Sequence, residues 1–350
     1  MTDEQGTDRS GRVVLQRSLG PWPAMPWALN GYPTYLGQPM CVTWEDLDGA
    51  VPDVAVIGVP WDGSTGAPPG ARHGPMAIRI AEYTGDRGGD WTHPVSRVNP
   101  LAVLGVVDFG DVPVVHGAIE ESFERIRHVT SEVLSRNVFP VMLGGDHAIT
   151  WPHVQALNDA VDGTVGVVHF DAHCDTWPMD PWEYSSHGAP MRQLIEGGTV
   201  RGENFVQVGL RSSTDAETLG YMRDHGMRSH WMDEIRRDGL DTVLDRAVEE
   251  AMDGPDHLWL SVDIDVCDPA FAPGTGAPEP GGLTSGELLA SIRKIMTVPQ
   301  IRGMDLVEVS PPYDSGTDIT AVLAHRVVLE ALTGLADRKL TKEADGGSDG

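Results

Sequence analysis

The stretch VGVVHFDAHCDTW, residues 165–177, governs how the rest of the chain is read. It opens as a run of apolar and β-favouring residues, the pattern of a buried strand. That run leads straight into Asp171, His173 and Asp175. On an extended strand every second side chain shares a face, so these three are expected on one side, with Ala172 and Cys174 on the other. Metal-type ligands converging at a strand end are costly to bury unless a cation sits between them.

Two other stretches end in a similar way. VMLGGDHAIT, residues 141–150, reads as a strand that stops at Gly144 and Gly145, with His147 just beyond. The two glycines permit tight turning. Taken alone, His147 is a weak signal, because a single histidine is more often structural. LWLSVDIDVCD, residues 258–268, ends a third apolar run with Asp263 and Asp265. Aspartate is common in turns, and Asp268-Pro269 fits that reading. Asp263 and Asp265 fit it poorly, because Val262, Ile264 and Val266 flank them as if still in a core.

Together the three strand ends offer four carboxylates and two imidazoles: His147, Asp171, His173, Asp175, Asp263 and Asp265. Two divalent cations would balance four negative charges. Oxygen and nitrogen donors without thiolate suit Mn, Ni, Fe or Co better than structural zinc. Two such ions can share a water and lower its pKa, so the pattern points to a binuclear hydrolase.

Around this centre, strand-like and helix-like segments alternate. Strands are expected at 53–59, 102–107, 138–143, 165–170, 204–208, 228–231, 257–262 and 302–307. Helices are expected at 76–83, 119–136, 148–159, 190–196, 216–225, 240–252, 285–295 and 317–335. Thr284 and Glu287 form a capping box ahead of the LLASI helix. The alternation implies βαβ units and an α/β fold of three layers, α/β/α, around an eight-stranded, mostly parallel sheet. In such sheets ligands bind beyond the carboxyl ends of the strands, where the candidate residues lie. A single catalytic domain is expected over residues 36–338. Before it, residues 1–35 read as an extended, proline-broken arm whose Trp22 and Trp27 can pack on the body or on a neighbouring subunit. After it, residues 339–350 read as a charged, glycine-rich, disordered tail.

Composition narrows the function further. The chain has 350 residues, 40% hydrophobic, and a formal charge of −27. Nucleic-acid binding is disfavoured, because phosphate contacts need lysine and arginine. The three cysteines Cys41, Cys174 and Cys267 do not suggest a disulfide framework and fit a reducing cytoplasm. No signal pattern opens the sequence, and no apolar run approaches the ~20 residues needed to span a bilayer.

With these motifs in view, the chain resembles the ureohydrolases: arginase, agmatinase, guanidinobutyrase and their relatives. GGDH, FDAHCDT and SVDIDVCDP match the family's three metal motifs in order, and the likeness runs from about Asp53 to Ile319. The resemblance implies an arginase-like fold and a homo-oligomer, a trimer or hexamer. It implies that the six residues above hold two divalent ions, Mn2+ or Ni2+. It gives Asp175 a second role, bonding the nucleophilic water and moving its proton. His187, in SSHGAPMR, would help protonate the leaving amine, and Glu308, in DLVEVSPP, would clamp a guanidinium. A carboxylate facing a planar fork of N–H donors is chemically apt for that task. The implied reaction is hydrolysis of a guanidino carbon to urea and an amine.

The sequence also departs from agmatinase-type relatives, which usually carry threonine where this chain has Cys174, Ala189 and Ala277. Ala189 and Ala277 are expected beside the pocket. Cys174 should face away from the metals and serve packing. The loop TWPMDPWEYSS, residues 176–186, should cover the entrance, and it lacks the Asn and Ser/Thr pattern that reads an amino-acid head group. Its Trp177, Met179, Trp182 and Tyr184 either pack the loop down or form an apolar or cation–π lid. Asp180 and Glu183 are alternative partners for a distal ammonium. Three readings follow: an agmatinase or guanidino-acid hydrolase, a nickel-dependent guanidine or biguanide hydrolase, and a subunit that needs a paralogous partner. An amide hydrolase of the deacetylase type is disfavoured by the full six-ligand set.

Overall fold

A computed structural model describes residues 33–66, 68–81, 92–180, 183–314 and 316–346. Eight strands form one sheet: β1 Val54–Gly58, β2 Val106–Asp111, β3 Phe139–Leu143, β4 Val165–Phe170, β5 Phe205–Leu210, β6 Arg228–Trp231, β7 His257–Asp263 and β8 Ile301–Val307. Their spatial order is β2-β1-β3-β8-β7-β4-β5-β6. Every neighbouring pair is parallel. The helices among the described residues are α1 Trp44–Ala50, α2 Gly74–Ile80, α3 Pro100–Val103, α4 Ile119–Ser135, α5 Thr150–Ala160, α6 Pro190–Glu196, α7 Ala216–Asp224, α8 Met232–Asp238, α9 Leu240–Met252, α10 Ser285–Ile295 and α11 Ile319–Gly346.

The strands are mainly apolar because both faces of the sheet are covered. Val168 and Phe170 of β4 join a core with α8, α9, α10 and α11. Val165 and Val167 point the other way, into a core with α4, α5 and α6. His169 continues that second face, so the chemistry at the end of β4 opens on the α5 side.

Several elements differ from the expectation. The first two residues of the expected strand 102–107 belong instead to the helix Pro100–Val103, because the Asn99 side chain accepts the Leu101 and Ala102 N–H groups and Pro100 opens the turn. Helices α1 and α8 stand where no helix was expected; α1 has a capping box of Thr43 and Asp46. Tyr35 belongs to the body rather than to an arm: its hydroxyl donates to the His325 carbonyl and its N–H to Asp108. Trp22 and Trp27 lie outside the described residues, as do residues 347–350.

Residues 339–346 are helical, which corrects the expected start of a disordered tail. Lys339 anchors this turn to Asp53 at 2.8 and 2.9 Å, an ion pair that composition alone does not reveal. Residues Ile319–Ala344 are long and apolar enough to cross a membrane by composition, contrary to the reading that no run approaches that length. Their apolar window is 78% buried within this fold, against α10, α3 and α2, so α11 is a core helix.

A buried ion pair fixes the outer strand. The fully buried Arg79 donates to Asp108 at 2.8 and 3.0 Å and to Asp111 at 2.6 Å. Replacing Arg79 by alanine would leave Asp108 charged and unpaired, so we expect a loss of about 3–5 kcal/mol in urea unfolding. A loss below about 1 kcal/mol would mean that Asp108 finds water or another donor.

Candidate metal centre

The glycines after β3 allow the first motif to form. A Cβ on Gly145 would stand 1.6 Å from the Trp61 carbonyl oxygen, so only glycine lets the two backbones pass. Asp146 then donates its N–H to that carbonyl at 2.8 Å, and His147 enters the turn ahead of α5.

The i, i+2 spacing does bring the predicted ligands together, but not by strand alternation. Strand β4 ends at Phe170. The Asp171 carboxylate accepts the His173 N–H at 2.6 Å and turns the chain, and Asp175 adopts a left-handed φ of 50°. Likewise Asp263 accepts the Asp265 N–H at 2.8 Å and closes the single 3-10 turn Ile264–Val266. Short carboxylates bonded to nearby N–H groups make these turns. Cys174 packs away from the cluster, against Leu210 and Met222.

His147 Nδ1 lies 3.0 Å from Asp171 Oδ2, 3.0 Å from Asp175 Oδ2 and 3.2 Å from Asp263 Oδ2. His173 Nδ1 lies 2.9 Å from Asp265 Oδ2 and 3.4 Å from Asp171 Oδ1. Asp171 therefore presents one oxygen to each group. His147 Nε2 meets Ser261 Oγ at 2.8 Å, and Ser261 donates its own proton to Asp305 at 2.7 Å. Nε2 must then carry the hydrogen and Nδ1 a lone pair. That Nδ1 is buried, lacks a well-directed hydrogen bond and faces three carboxylates. Such an arrangement calls for a proton or a cation.

Electrostatics point the same way. Burial disfavours a charged His147, yet Asp175 and the other facing carboxylates pull its pKa well above normal. Burial likewise opposes charge on His173, but Asp171 and Asp265 push it up to about 12. Burial, then Asp265 and Asp171, drive Asp263 well above the carboxylate range, and burial with Asp171 takes Asp265 to about 6. What the cluster needs is positive charge. Hard oxygen donors with two imidazoles fit divalent ions of the manganese type.

The predicted substrate residues His187, Glu308, Trp177 and Ala277 line one pocket of about 140 Å³, with His173, Asp175, Asp263 and Asp265 also in its wall. Ala189 is buried and does not line it. Tyr184 packs down on Phe123 and Trp151, while Asp180 and Glu183 are exposed. Trp182 lies outside the described residues. A larger cavity of about 890 Å³ sits at the amino-terminal ends of β1, β3 and β8 and holds none of these side chains. Parallel sheets bind ligands at the opposite ends, so the smaller pocket is the functional one.

Glu308 has a left-handed φ of 62°, held by its N–H bond to the Gly145 carbonyl at 2.9 Å. Strain of this kind, about 1–3 kcal/mol, collects at functional sites. Glu308 Oε1 accepts the His147 N–H at 2.9 Å and faces His187 Nδ1 at 3.1 Å. Among the described residues no hydrogen bond engages Oε2. Burial opposes charge on His187, but Glu308, through its hydrogen bond and its charge, together with Asp175 and Asp146, raises the pKa to about 9. Sequence reasoning missed Asp146, His169, Ser261 and Asp305. Their only signal was a polar residue in an otherwise apolar strand or strand end.

Residues 52–334 match the sequence profile of the Arginase family, and the chain belongs to that family. It is 36% identical over 312 residues to guanidinopropionase from Pseudomonas aeruginosa, covering 88% of this chain and 92% of that protein. It is 39% identical over 284 residues to the mitochondrial guanidino acid hydrolase of Homo sapiens, covering 81% and 78% respectively. Among solved structures, proclavaminate amidino hydrolase from Streptomyces clavuligerus superposes with a TM-score of 0.76 at 34% identity, over 87% of this chain and 97% of that one. Formiminoglutamase from Trypanosoma cruzi, solved with Mn2+, gives 0.74 at 27% identity, over 82% and 94%. The all-parallel eight-stranded sheet is thus the arginase fold.

Proposed function

We propose that this chain cleaves the guanidino C–N bond of a small guanidino compound, giving urea and an amine, at a centre that takes two Mn2+ ions. The observation that carries this reading is Glu308. With one carboxylate oxygen open, it lines a pocket whose wall includes four of the six candidate metal ligands. The names of the relatives, guanidinopropionase and guanidino acid hydrolase, support the substrate class.

His147, Asp171, His173, Asp175, Asp263 and Asp265 would hold the ions, which supply a water of lowered pKa at neutral pH. Glu308 orients the planar guanidinium so that its central carbon faces the metal ligands. Asp175, which lines the pocket, takes the proton that the nucleophile gives up. His187 sits 3.1 Å from Glu308 and, neutral once the guanidinium is bound, takes up the proton collected by Asp175 and passes it to the departing amine. Trp177 and Ala277 border the substrate's remaining atoms.

A nickel-dependent guanidine or biguanide hydrolase is the second reading. Among the described residues the pocket lining contains no lysine or arginine to meet a guanidino acid's carboxylate, and Trp177 and Ala277 are apolar. The test is urea release from agmatine, 4-guanidinobutyrate, arginine, guanidine and dimethylbiguanide, using apo-protein reloaded with Mn2+ or Ni2+. Turnover of agmatine or guanidinobutyrate with Mn2+ supports the first reading. Turnover of guanidine or the biguanide alone, with Ni2+, supports the second. Silence throughout rejects both and leaves a required paralogous subunit. A homo-oligomer, trimer or hexamer, and a cytoplasmic location complete the proposal, resting on the family resemblance and on three unpaired buried cysteines.

A further inference from the structure

One polar row crosses the sheet beneath the site. In register, Ser229 of β6 neighbours Gln207 of β5, Gln207 neighbours His169 of β4, His169 neighbours Ser261 of β7, and Ser261 neighbours Asp305 of β8. Four of the five, all but Ser229, are fully buried, and their strand neighbours on either side in sequence are apolar. His169 and Ser261 stand two residues before Asp171 and Asp263, so the row lies one pleat repeat below two candidate ligands.

Hydrogen bonds fix the proton positions along this row. The Cys174 carbonyl can only accept, and Gln207 Nε2 donates to it at 2.8 Å. Ser229 Oγ donates to the other amide atom, Oε1, at 3.1 Å, which settles the amide's orientation. The second Nε2 hydrogen then points at His169 Nδ1, 3.0 Å away. Nδ1 must accept, so His169 carries its hydrogen on Nε2 and donates it to Asp171 Oδ2 at 2.7 Å. On the other half, Asp305 accepts from Trp259 at 2.7 Å, from Thr150 at 3.0 Å and from Ser261 at 2.7 Å. Its demand for the Ser261 proton leaves the Ser261 oxygen to accept from His147 Nε2.

We infer that Gln207 and Asp305 are positioning residues: each sets the tautomer of one histidine and so the donor state of the metal site. Gln207 acts through His169 on Asp171, whose two oxygens face both ligand groups. Asp305 acts through Ser261 on His147, which faces one group only. Hydrogen bonds of this kind to metal-binding side chains typically change metal affinity by about 10–100-fold. The inference rests on the two-metal reading but not on any particular substrate.

Calorimetric titration of apo-protein with Mn2+ tests it, alongside the nitrogen-15 pattern of histidine-labelled apo-protein. In Asp305→Asn the amide would donate to Ser261, whose proton would turn to His147 Nε2 and force the hydrogen onto Nδ1. We expect about 10–100-fold weaker binding of one ion and an unchanged second. Gln207→Leu should weaken both ions and abolish the His169 pattern of bare Nδ1 and protonated Nε2. Trp259→Phe removes one donor to Asp305 without reversing the Ser261 proton; it should lower thermal stability but keep both affinities. Wild-type affinities in Asp305→Asn and Gln207→Leu would overturn the inference, as would a Trp259→Phe loss equal to that of Asp305→Asn. If wild-type protein binds no metal, the two-metal reading fails. A protonated His169 Nδ1 in wild-type apo-protein would overturn the tautomer assignment by itself.

Discussion

Replacing Asp263 by asparagine should raise the melting temperature of the metal-free protein, lower that of the metal-loaded protein, and remove turnover. The carboxylate is buried beside Asp265 and Asp171, which together with burial push its pKa well above the ordinary range. Without a cation, that crowding destabilises the fold. Asparagine is nearly isosteric and keeps an oxygen for the Asp265 N–H bond. Relief of about 1 kcal/mol would raise the melting temperature by about 2 °C in a chain of this size. Metal reverses the order. An ion at 1,000 times its Kd stabilises the wild type by about 4 kcal/mol, and the variant forfeits most of that gain. Lost metal-ion assistance, several kcal/mol of barrier, lowers kcat by about a thousandfold or more. Calorimetric melting with and without Mn2+ is the measurement. If the apo-variant melts below the apo-wild type, the carboxylate is already compensated by its neighbours, and the argument for a missing cation fails.

The same groups explain how much of the site was legible in the sequence. Hydrophobic runs located seven of the eight strands closely, because a sheet covered on both faces is mainly apolar, and placed the second four residues too early, where α3 stands. The ligand pairs were also legible, although the turn chemistry was not. The i, i+2 spacing of Asp171/His173 and Asp263/Asp265 looks the same in a pleat and in a carboxylate-closed turn. Glu308 was reached only through the family resemblance, because a left-handed backbone leaves no mark on spacing. The row Ser229, Gln207, His169, Ser261 and Asp305 was invisible for a different reason. Its meaning lies in register between five strands that are far apart in the chain. In one dimension each member is a lone polar residue. Residues 339–346 show the converse error: a charged segment reads as disordered until Asp53, nearly three hundred residues away, supplies the anchor.

Apparent affinity for a cationic guanidino substrate should improve as pH rises from 7 toward 9, and the Glu308→Gln variant should lose that dependence. In the unliganded pocket Glu308 Oε1 faces His187 Nδ1 at 3.1 Å, and this contact leads the effects that raise the His187 pKa to about 9 against the opposing effect of burial. Metal ions beside Asp175 would cancel its smaller contribution but leave that of Glu308. While it is protonated, His187 competes with the guanidinium for the same carboxylate. Binding a second cation there lowers the His187 pKa and releases its proton. The linkage sign follows: where binding releases a proton, affinity rises with pH, by at most about tenfold per unit, and levels off once His187 is neutral. KM should fall accordingly between pH 7 and 9 while metal content stays constant. In Glu308→Gln the charged clamp is gone, and the loss of a buried, hydrogen-bonded charge pair, about 2–5 kcal/mol, predicts a drop in kcat/KM of between about thirtyfold and a few thousandfold. The glutamine oxygen can still accept the His147 N–H, so both ions should remain. A KM that is flat across this range in the wild type would mean that His187 is already neutral, and the competition would be ruled out. Loss of metal in Glu308→Gln would place Glu308 in the metal centre instead of at the guanidinium.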